Sequence, residues 1–346
     1  MPRSRVLPVL LGLFGLVVLA SPLTFGLAGI PGVSPPDAIT DSGDTINRVY
    51  WVIYALAAIV FIVVEATLVL FIFRYRRRRP GAVADAEGPQ IHGNTTVEVL
   101  WTVIPALLLL GLAIFTFSQV PDVEAKPTGD EDALVVDVTA HQFYWQYRYR
   151  DSGALSYDRL VLPVGRKISL VLRSADVDHS WWVPELTGKR DAIPGRTNEL
   201  HFRTRRTASL DSGVCGEFCG IQHARMVFRV DVVPQGEFDS FISDTTPDAV
   251  DQIALGEEQW RAACAKCHGF EGQGDIGPAI AANNTLTNLE SLRQLLYEGQ
   301  NLEANPGYMP PVGKGWTDEQ IRTLIAYVKS NDKLAPPGDG GGQSGG

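Results

Sequence analysis

The sequence predicts a multidomain membrane protein: a two-helix transmembrane hairpin, then an all-β barrel or sandwich, then a small all-α domain. Three observations predict it. Two apolar stretches of spanning length fall before residue 121, short β-branched and aromatic runs occupy residues 134 to 233, and helical periodicity follows Glu237. The chain has 346 residues, 45% hydrophobic and 20% charged, which is room for two domains or more and too apolar for a disordered chain. A net charge of -9 argues against a nucleic-acid binder, whose binding face should be basic.

Val49 to Phe73 holds 25 residues with one charge, Glu65, and Val97 to Val120 holds 24 with one charge, Glu98. A bilayer span needs about 20 apolar residues, so both qualify. Between them the basic cluster Arg74, Tyr75, Arg76, Arg77, Arg78, Arg79 belongs on the cytoplasmic side. The hairpin, placed at 45–121, therefore dips inward and returns, leaving everything after Pro121 outside the cytoplasm. Residues 1–25 read as a signal peptide, with Arg3 and Arg5 ahead of the apolar Val6 to Ala20, or as an uncleaved extra span. Either reading gives the same orientation. No cysteine lies near the cleavage region, so a lipoprotein anchor is not indicated.

The β domain is placed at 122–236. Leu134 to Tyr149, Lys167 to Arg173, Asn198 to Thr204 and Met226 to Val233 are strand-like runs separated by Gly, Pro and Asp. With 16 acidic and 15 basic residues, this domain is nearly neutral. Helical patterns follow at Val250 to Ala263, Asn288 to Glu298 and Thr317 to Ser330, and Thr317 with Gln320 fits a capping box. The α domain, 237–333, carries 15 acidic against 7 basic residues, and the Pro/Gly tail at 334–346 is expected to be disordered.

All four cysteines lie outside the cytoplasm, where two disulfides would be the simplest reading. Their spacing opposes it. Cys215, Glu217, Cys219, His223 and Met226 form Cys-x-Glu-x-Cys-x-x-x-His-x-x-Met. Two thiolates, an imidazole and a thioether are a soft ligand set suited to copper. A disulfide would leave His223 and Met226 without a reason for their spacing. Cys264-Ala265-Lys266-Cys267-His268 is the attachment motif for c-type haem, in which both thiols add to the vinyl groups and His268 reaches the iron. A zinc half-site is the other reading, but no second cysteine pair is left for it. Met309, the only methionine after Met226, lies 41 residues beyond His268 in Gly307-Tyr308-Met309-Pro310-Pro311. Alone it would more often be core packing; after an attachment motif it is the better candidate for second axial ligand, raising the potential.

The copper loop resembles the binuclear copper (CuA) loop of cytochrome c oxidase subunit II, and the resemblance covers most of the first 236 residues. It includes Val97-Glu98-Val99-Leu100-Trp101-Thr102, His141-Gln142-Phe143-Tyr144-Trp145, Asp176-Val177-Asp178-His179-Ser180-Trp181 and Asp191-Ala192-Ile193-Pro194-Gly195-Arg196. The segment after Cys264 is similar to a small class of cytochrome c, to which Gly277-Pro278 adds weakly. The resemblance implies a cupredoxin-like β domain and a cytochrome c domain. It implies that Cys215 and Cys219 bridge two copper ions, that His179 and His223 bind one each, and that Met226 and the Glu217 carbonyl are weak ligands. It further implies that the Glu217 carboxylate binds magnesium at the boundary with the catalytic subunit. Glu98, which by itself reads as a solvated boundary residue, matches a glutamate at the mouth of a proton path. Glu65 has no motif; at its depth it should be neutral, paired or facing another subunit. Phe143 departs from the family, where many relatives carry Trp at the point that receives electrons from a separate cytochrome c; Trp145 and Trp181 are near it in sequence.

The function so implied is that of the subunit through which electrons enter a respiratory haem-copper oxidase, from c-type haem to copper, with oxygen reduced to water in another chain. Subunit I and subunit III would be partners, a c-type cytochrome or a cytochrome bc complex the donor, and the plasma membrane of a prokaryote the location. The alternatives are the same module on a copper-containing nitric oxide reductase, or a free-standing membrane-anchored electron carrier. A quinol oxidase subunit is disfavoured, since its copper ligands would be missing.

Overall fold

This computed structural model describes residues 34–75, 93–124, 133–246, 252–301 and 308–336. The expected signal peptide or extra span at 1–25, Arg76 to Arg79 of the basic cluster, Gly307, and residues 337–346 of the tail lie outside the described residues.

The apolar stretches form helices α1 (Asp41–Tyr75) and α2 (Thr95–Glu124). Both pass the length and composition test for a membrane span, and no residue of α2 is buried within the protein. Such a surface is stable only in lipid or against other protein. At the start of α2, Asn94 Oδ1 accepts the Val97 N–H at 3.2 Å, and Glu98 Oε1 accepts the Asn94 N–H at 2.9 Å. Glu98 thus caps the helix that carries it. Near the opposite ends, Arg48 Nη1 donates to Gln119 Oε1 at 3.2 Å, as an antiparallel hairpin allows.

The second compact unit comprises Ala38–Asp44 and the chain from Val123 onward. Ten strands form two five-stranded sheets: β1 (Leu134–His141), β2 (Tyr144–Tyr149), β3 (Leu155–Tyr157), β4 (Arg159–Pro163), β5 (Lys167–Ser174), β6 (His179–Trp182), β7 (Arg190–Ala192), β8 (Asn198–Arg203), β9 (Ala208–Cys215) and β10 (Val227–Val233). One sheet runs β3-β2-β1-β5-β8 and the other β4-β10-β9-β6-β7. In β1, Leu134, Val136, Val138 and Ala140 alternate inward, the period-two pattern of a half-buried strand. The expected run from Leu134 to Tyr149 is broken at Gln142 and Phe143 into the hairpin β1–β2, with His141 opposite Tyr144.

Helix α3 (Gln235–Thr245) follows β10 directly and spans the expected boundary at 236. Phe238 and Phe241 pack edge-on against Tyr149, and Phe238 belongs to the sandwich core. The helical domain contains α4 (Gln252–Gln259), a π turn (Trp260–Cys264), α5 (Ala265–His268), α6 (Leu289–Glu298) and α7 (Asp318–Ser330). The π turn carries the chain from α4 into the haem-attachment motif, beyond the expected end at Ala263. The capping box of Thr317 and Gln320 is present. Tyr144, Leu155 and Tyr157 of the sandwich share one buried cluster with Leu255, Trp260, Leu292, Trp316 and Leu324 of the helical domain. The two domains are therefore joined by a common core.

Candidate copper and haem sites

Strand pairing brings distant donors together. β6 opens with His179 and β9 ends with Cys215; the two strands pair antiparallel with Trp181 opposite Cys215. The loop after Cys215 then returns through Cys219, His223 and Met226 into β10. Cys215 Sγ lies 3.8 Å from His179 Nδ1, 4.0 Å from Cys219 Sγ and 3.2 Å from the Glu217 carbonyl. Cys219 Sγ lies 3.6 Å from His223 Nδ1 and 3.7 Å from Met226 Sδ. The donor atoms of His179, Cys215 and Cys219 all fall within 4.8 Å of one another, and all three residues are buried. Every expected donor is in this cluster, and the soft sulfur and imidazole atoms fit copper. No disulfide joins the cysteines.

Electrostatics prepare the cluster. The Cys219 thiol beside it holds Cys215 well below the usual thiol range, while the same neighbour and burial push Cys219 up. His179 Nε2 donates to Asp176 Oδ1 at 2.8 Å, so the Nδ1 lone pair faces the sulfur. Burial opposes ionisation of Asp176, but hydrogen bonds from His179, Gln142 and Val177 outweigh it and hold the carboxyl low. Gln142 braces both sides: its backbone N–H donates to Asp176 Oδ2 at 2.7 Å and its side-chain amide to the Cys219 carbonyl at 2.5 Å. The carboxylate of Glu217 is exposed.

The helical domain holds a cavity of about 770 Å³ whose lining includes Cys264, Cys267, His268 and Met309. That volume is in the range of a cofactor pocket. His268 Nδ1 donates to the Pro278 carbonyl at 2.8 Å, which leaves Nε2 as the free ring nitrogen. A Cβ on Gly277 would sit 2.9 Å from the His268 ring, so glycine is needed for this close approach. Burial pushes the Cys264 thiol up to about 12 and raises Cys267, keeping both as neutral thiols at pH 7. Met309 lies in a short strand (Tyr308–Met309) paired with Gln300. Gln142, Phe143, Gly220 and Ile221 of the copper domain form one wall of the same cavity. Phe143 is 5% exposed, belongs to the sandwich core and lines this cavity.

Asp176 and Gln142, which brace the cluster, carry no assignment in the sequence. The Asp-x-x-His spacing of Asp176 and His179 was a usable signal. The position of Gln142 before Phe143 carried no chemistry of its own.

A membrane-anchored chain with a buried thiolate, imidazole and thioether cluster on a β sandwich, and a haem-sized pocket behind a Cys-x-x-Cys-His segment, is an electron-transfer protein by class. Family profiles agree in order along the chain: cytochrome c oxidase subunit II transmembrane domain at residues 33–119, its periplasmic domain at 156–233, and cytochrome c oxidase, cbb3-type, subunit III at 251–328. Cytochrome c oxidase subunit 2 of Alkalihalophilus pseudofirmus is 32% identical over 329 residues, covering 89% of this chain and 94% of that protein. Its counterpart from Bacillus sp. (strain PS3) is 30% identical, covering 70% and 76% respectively. Among solved structures, the periplasmic domain of subunit II of cytochrome oxidase of Bradyrhizobium japonicum is 30% identical over 35% of this chain and 99% of that one, with a TM-score of 0.33. The chain belongs to the cytochrome c oxidase subunit 2 family, with a C-terminal cytochrome c domain. It is a membrane subunit, with soluble domains outside, through which electrons enter a haem-copper oxidase, and the family implies copper and haem binding.

Proposed function

We propose that Cys264, Cys267, His268 and Met309 hold a covalent haem and that His179, Cys215, Glu217, Cys219, His223 and Met226 hold the binuclear copper (CuA). Bound there, the two groups supply reversible one-electron chemistry. The observation that carries this reading is the cavity lined by all four haem residues and walled by Gln142, Phe143 and Gly220, the segment that braces the copper cluster. Around these groups the chain orients and excludes. Asp176 fixes the His179 tautomer, Pro278 fixes His268, and burial of Cys215, Cys219 and Met226 keeps water from the sulfur atoms.

The remaining roles follow the same reading. The exposed Glu217 carboxylate serves a magnesium ion shared with the catalytic subunit, and Glu98 stands at the mouth of a proton path. Residues 45–121 anchor the chain in the plasma membrane of a prokaryote beside subunit I and subunit III, with Glu65 at one of those interfaces. Residues 122–236 together with α3 form the copper domain, and the remainder of 237–333 the cytochrome c domain. The donor, a c-type cytochrome or a cytochrome bc complex, meets the acidic helical domain, because Phe143 is covered and the copper domain is nearly neutral. The test is metal and haem analysis of the purified complex. Copper in the subunit and a haem that resists acid acetone are expected; zinc in place of copper, or an extractable haem, overturns the assignment.

A further inference from the structure

The two residues inside the haem-attachment motif take opposite directions. Ala265 packs into the core shared by the domains. Lys266 leaves the helical domain: its ammonium donates to Asp158 Oδ2 at 2.5 Å and to the Phe143 carbonyl at 2.9 Å. The paired side chains are only 17% and 18% exposed.

Asp158 is held for this contact. Its φ of 52° is in the left-handed region, which an aspartate adopts at a cost and keeps only when its surroundings over-determine it. Its N–H donates to the Trp145 carbonyl at 2.9 Å, its carbonyl accepts the Arg229 N–H at 2.9 Å, and its Oδ1 accepts the Trp145 N–H at 2.8 Å. The other acceptor, the Phe143 carbonyl, follows directly on Gln142, whose amide grips the Cys219 carbonyl. Hydrogen bonds and peptide bonds therefore run without a gap from the residue between the haem cysteines to the copper loop.

We propose that Lys266 is a positioning residue for electron transfer. By tying the haem-attachment segment to Asp158 and to the Phe143 carbonyl, it holds the haem pocket against the copper-bearing segment in one arrangement, so that transfer requires no docking motion between the domains. This inference rests on the assignment of the two cofactor sites above. In the step concerned one electron leaves the reduced haem iron and enters the oxidised copper pair; no bond forms or breaks and no proton moves. Stability alone is a poor reason for the pair, because a buried ion pair gains little over apolar replacements. Tyr144 OH to the Val312 carbonyl at 2.6 Å, and Gln259 and Gln320 to Tyr157 OH at 2.9 and 2.8 Å, join the domains elsewhere. Lys266 adds the link at the attachment motif itself.

The test compares the intact complex with Lys266→Met/Asp158→Asn, which leaves neither charge buried alone and keeps an Asn carbonyl for the Trp145 N–H. Lys266→Gln and the conservative Lys266→Arg are measured beside it, so that a poorly folding variant does not decide the outcome. Haem and copper absorption and both potentials are recorded first; a parent lacking either centre would sink the cofactor assignment, separately from this proposal. A ruthenium polypyridyl photoreductant then reduces the haem, and the copper is followed in a single turnover. In the double variant the rate is expected to fall on the order of tenfold, to become viscosity-dependent, and to recover in Lys266→Arg. Backbone amide hydrogen exchange at Asp158, Cys267 and His268 in the resting protein should quicken in the same variant. A rate or an exchange pattern indistinguishable from the parent's overturns the proposal.

Discussion

On the proposed haem assignment, Met309 and the two cysteines Cys264 and Cys267 divide one task between attachment and potential. Met309→Ala is expected to leave the haem covalently bound while lowering its potential, since the thioether is the ligand that raises it; a redox titration matching the parent would remove Met309 from the ligand set. At the membrane, the cap that Glu98 makes is separable from the proton-path role proposed for it. Glu98→Gln keeps a side-chain oxygen for the Asn94 N–H, so the helix cap survives while the ionisable group is lost. Oxygen uptake by the assembled complex should slow with both optical spectra unchanged, and normal uptake would leave Glu98 only its cap. His141 supplies a pH dependence. Burial, opposed by the Asp176 carboxylate, pushes its imidazole down to about 4 from an ordinary 6.5, while its ring stacks on Tyr144 at 4.7 Å. A depressed folded value means that the unfolded chain takes up the proton first. Its contribution is full above about 6.5 and is lost as pH falls toward about 4. Denaturant unfolding of His141→Phe, which keeps the stack, should show a flatter stability slope across that window; an unchanged slope would assign the acid limb to other groups.

Among elements, α4 and α7 approach each other closely at Gly256. A Cβ on Gly256 would stand 2.5 Å from the Thr323 carbonyl and 2.6 Å from Tyr327 Cβ. Gly256→Ala should therefore destabilise the domain by about 1–3 kcal/mol through overpacking, read as a lower denaturation midpoint; a parent-like midpoint would mean that the helices separate freely. The same elements show what patterning reveals. β1, β5 and β10 are rich in Val, Leu and Ile and were readable from composition. β9, with the sequence Ala-Ser-Leu-Asp-Ser-Gly-Val-Cys, was not, because its strand state comes from pairing with β10 and β6 rather than from apolar alternation. β3, β6 and β7, three or four residues each, are too short to carry a period. Helix α3 was missed because it begins Pro-Gln-Gly and buries a single side chain, Phe238.

For the whole molecule, the shared core changes how the donor question is put. Removing the helical domain would uncover Tyr144, Leu155 and Tyr157. Deleting 252–346 retains α3 and its Phe238, so the sandwich keeps its own core. The truncated complex is expected to lose most of its oxidation of reduced cytochrome c, together with the steep salt dependence that an acidic docking face confers. Undiminished, salt-sensitive turnover would make the copper domain the docking site.

The sequence by itself determined the candidate donors of residues 215–226 and 264–268 and the membrane anchor, because each is written in neighbouring residues: a metal loop, an attachment pentapeptide and two long apolar stretches. Tertiary structure alone decided that His179 meets Cys215 across paired strands, that Phe143 lines one cavity with Cys264 and His268, and that Lys266 reaches an aspartate 108 residues away. Those contacts depend on which faces pack after the chain has folded back on itself. Local pattern determines which side chains are available, but the packing of sheets and helices determines which of them meet.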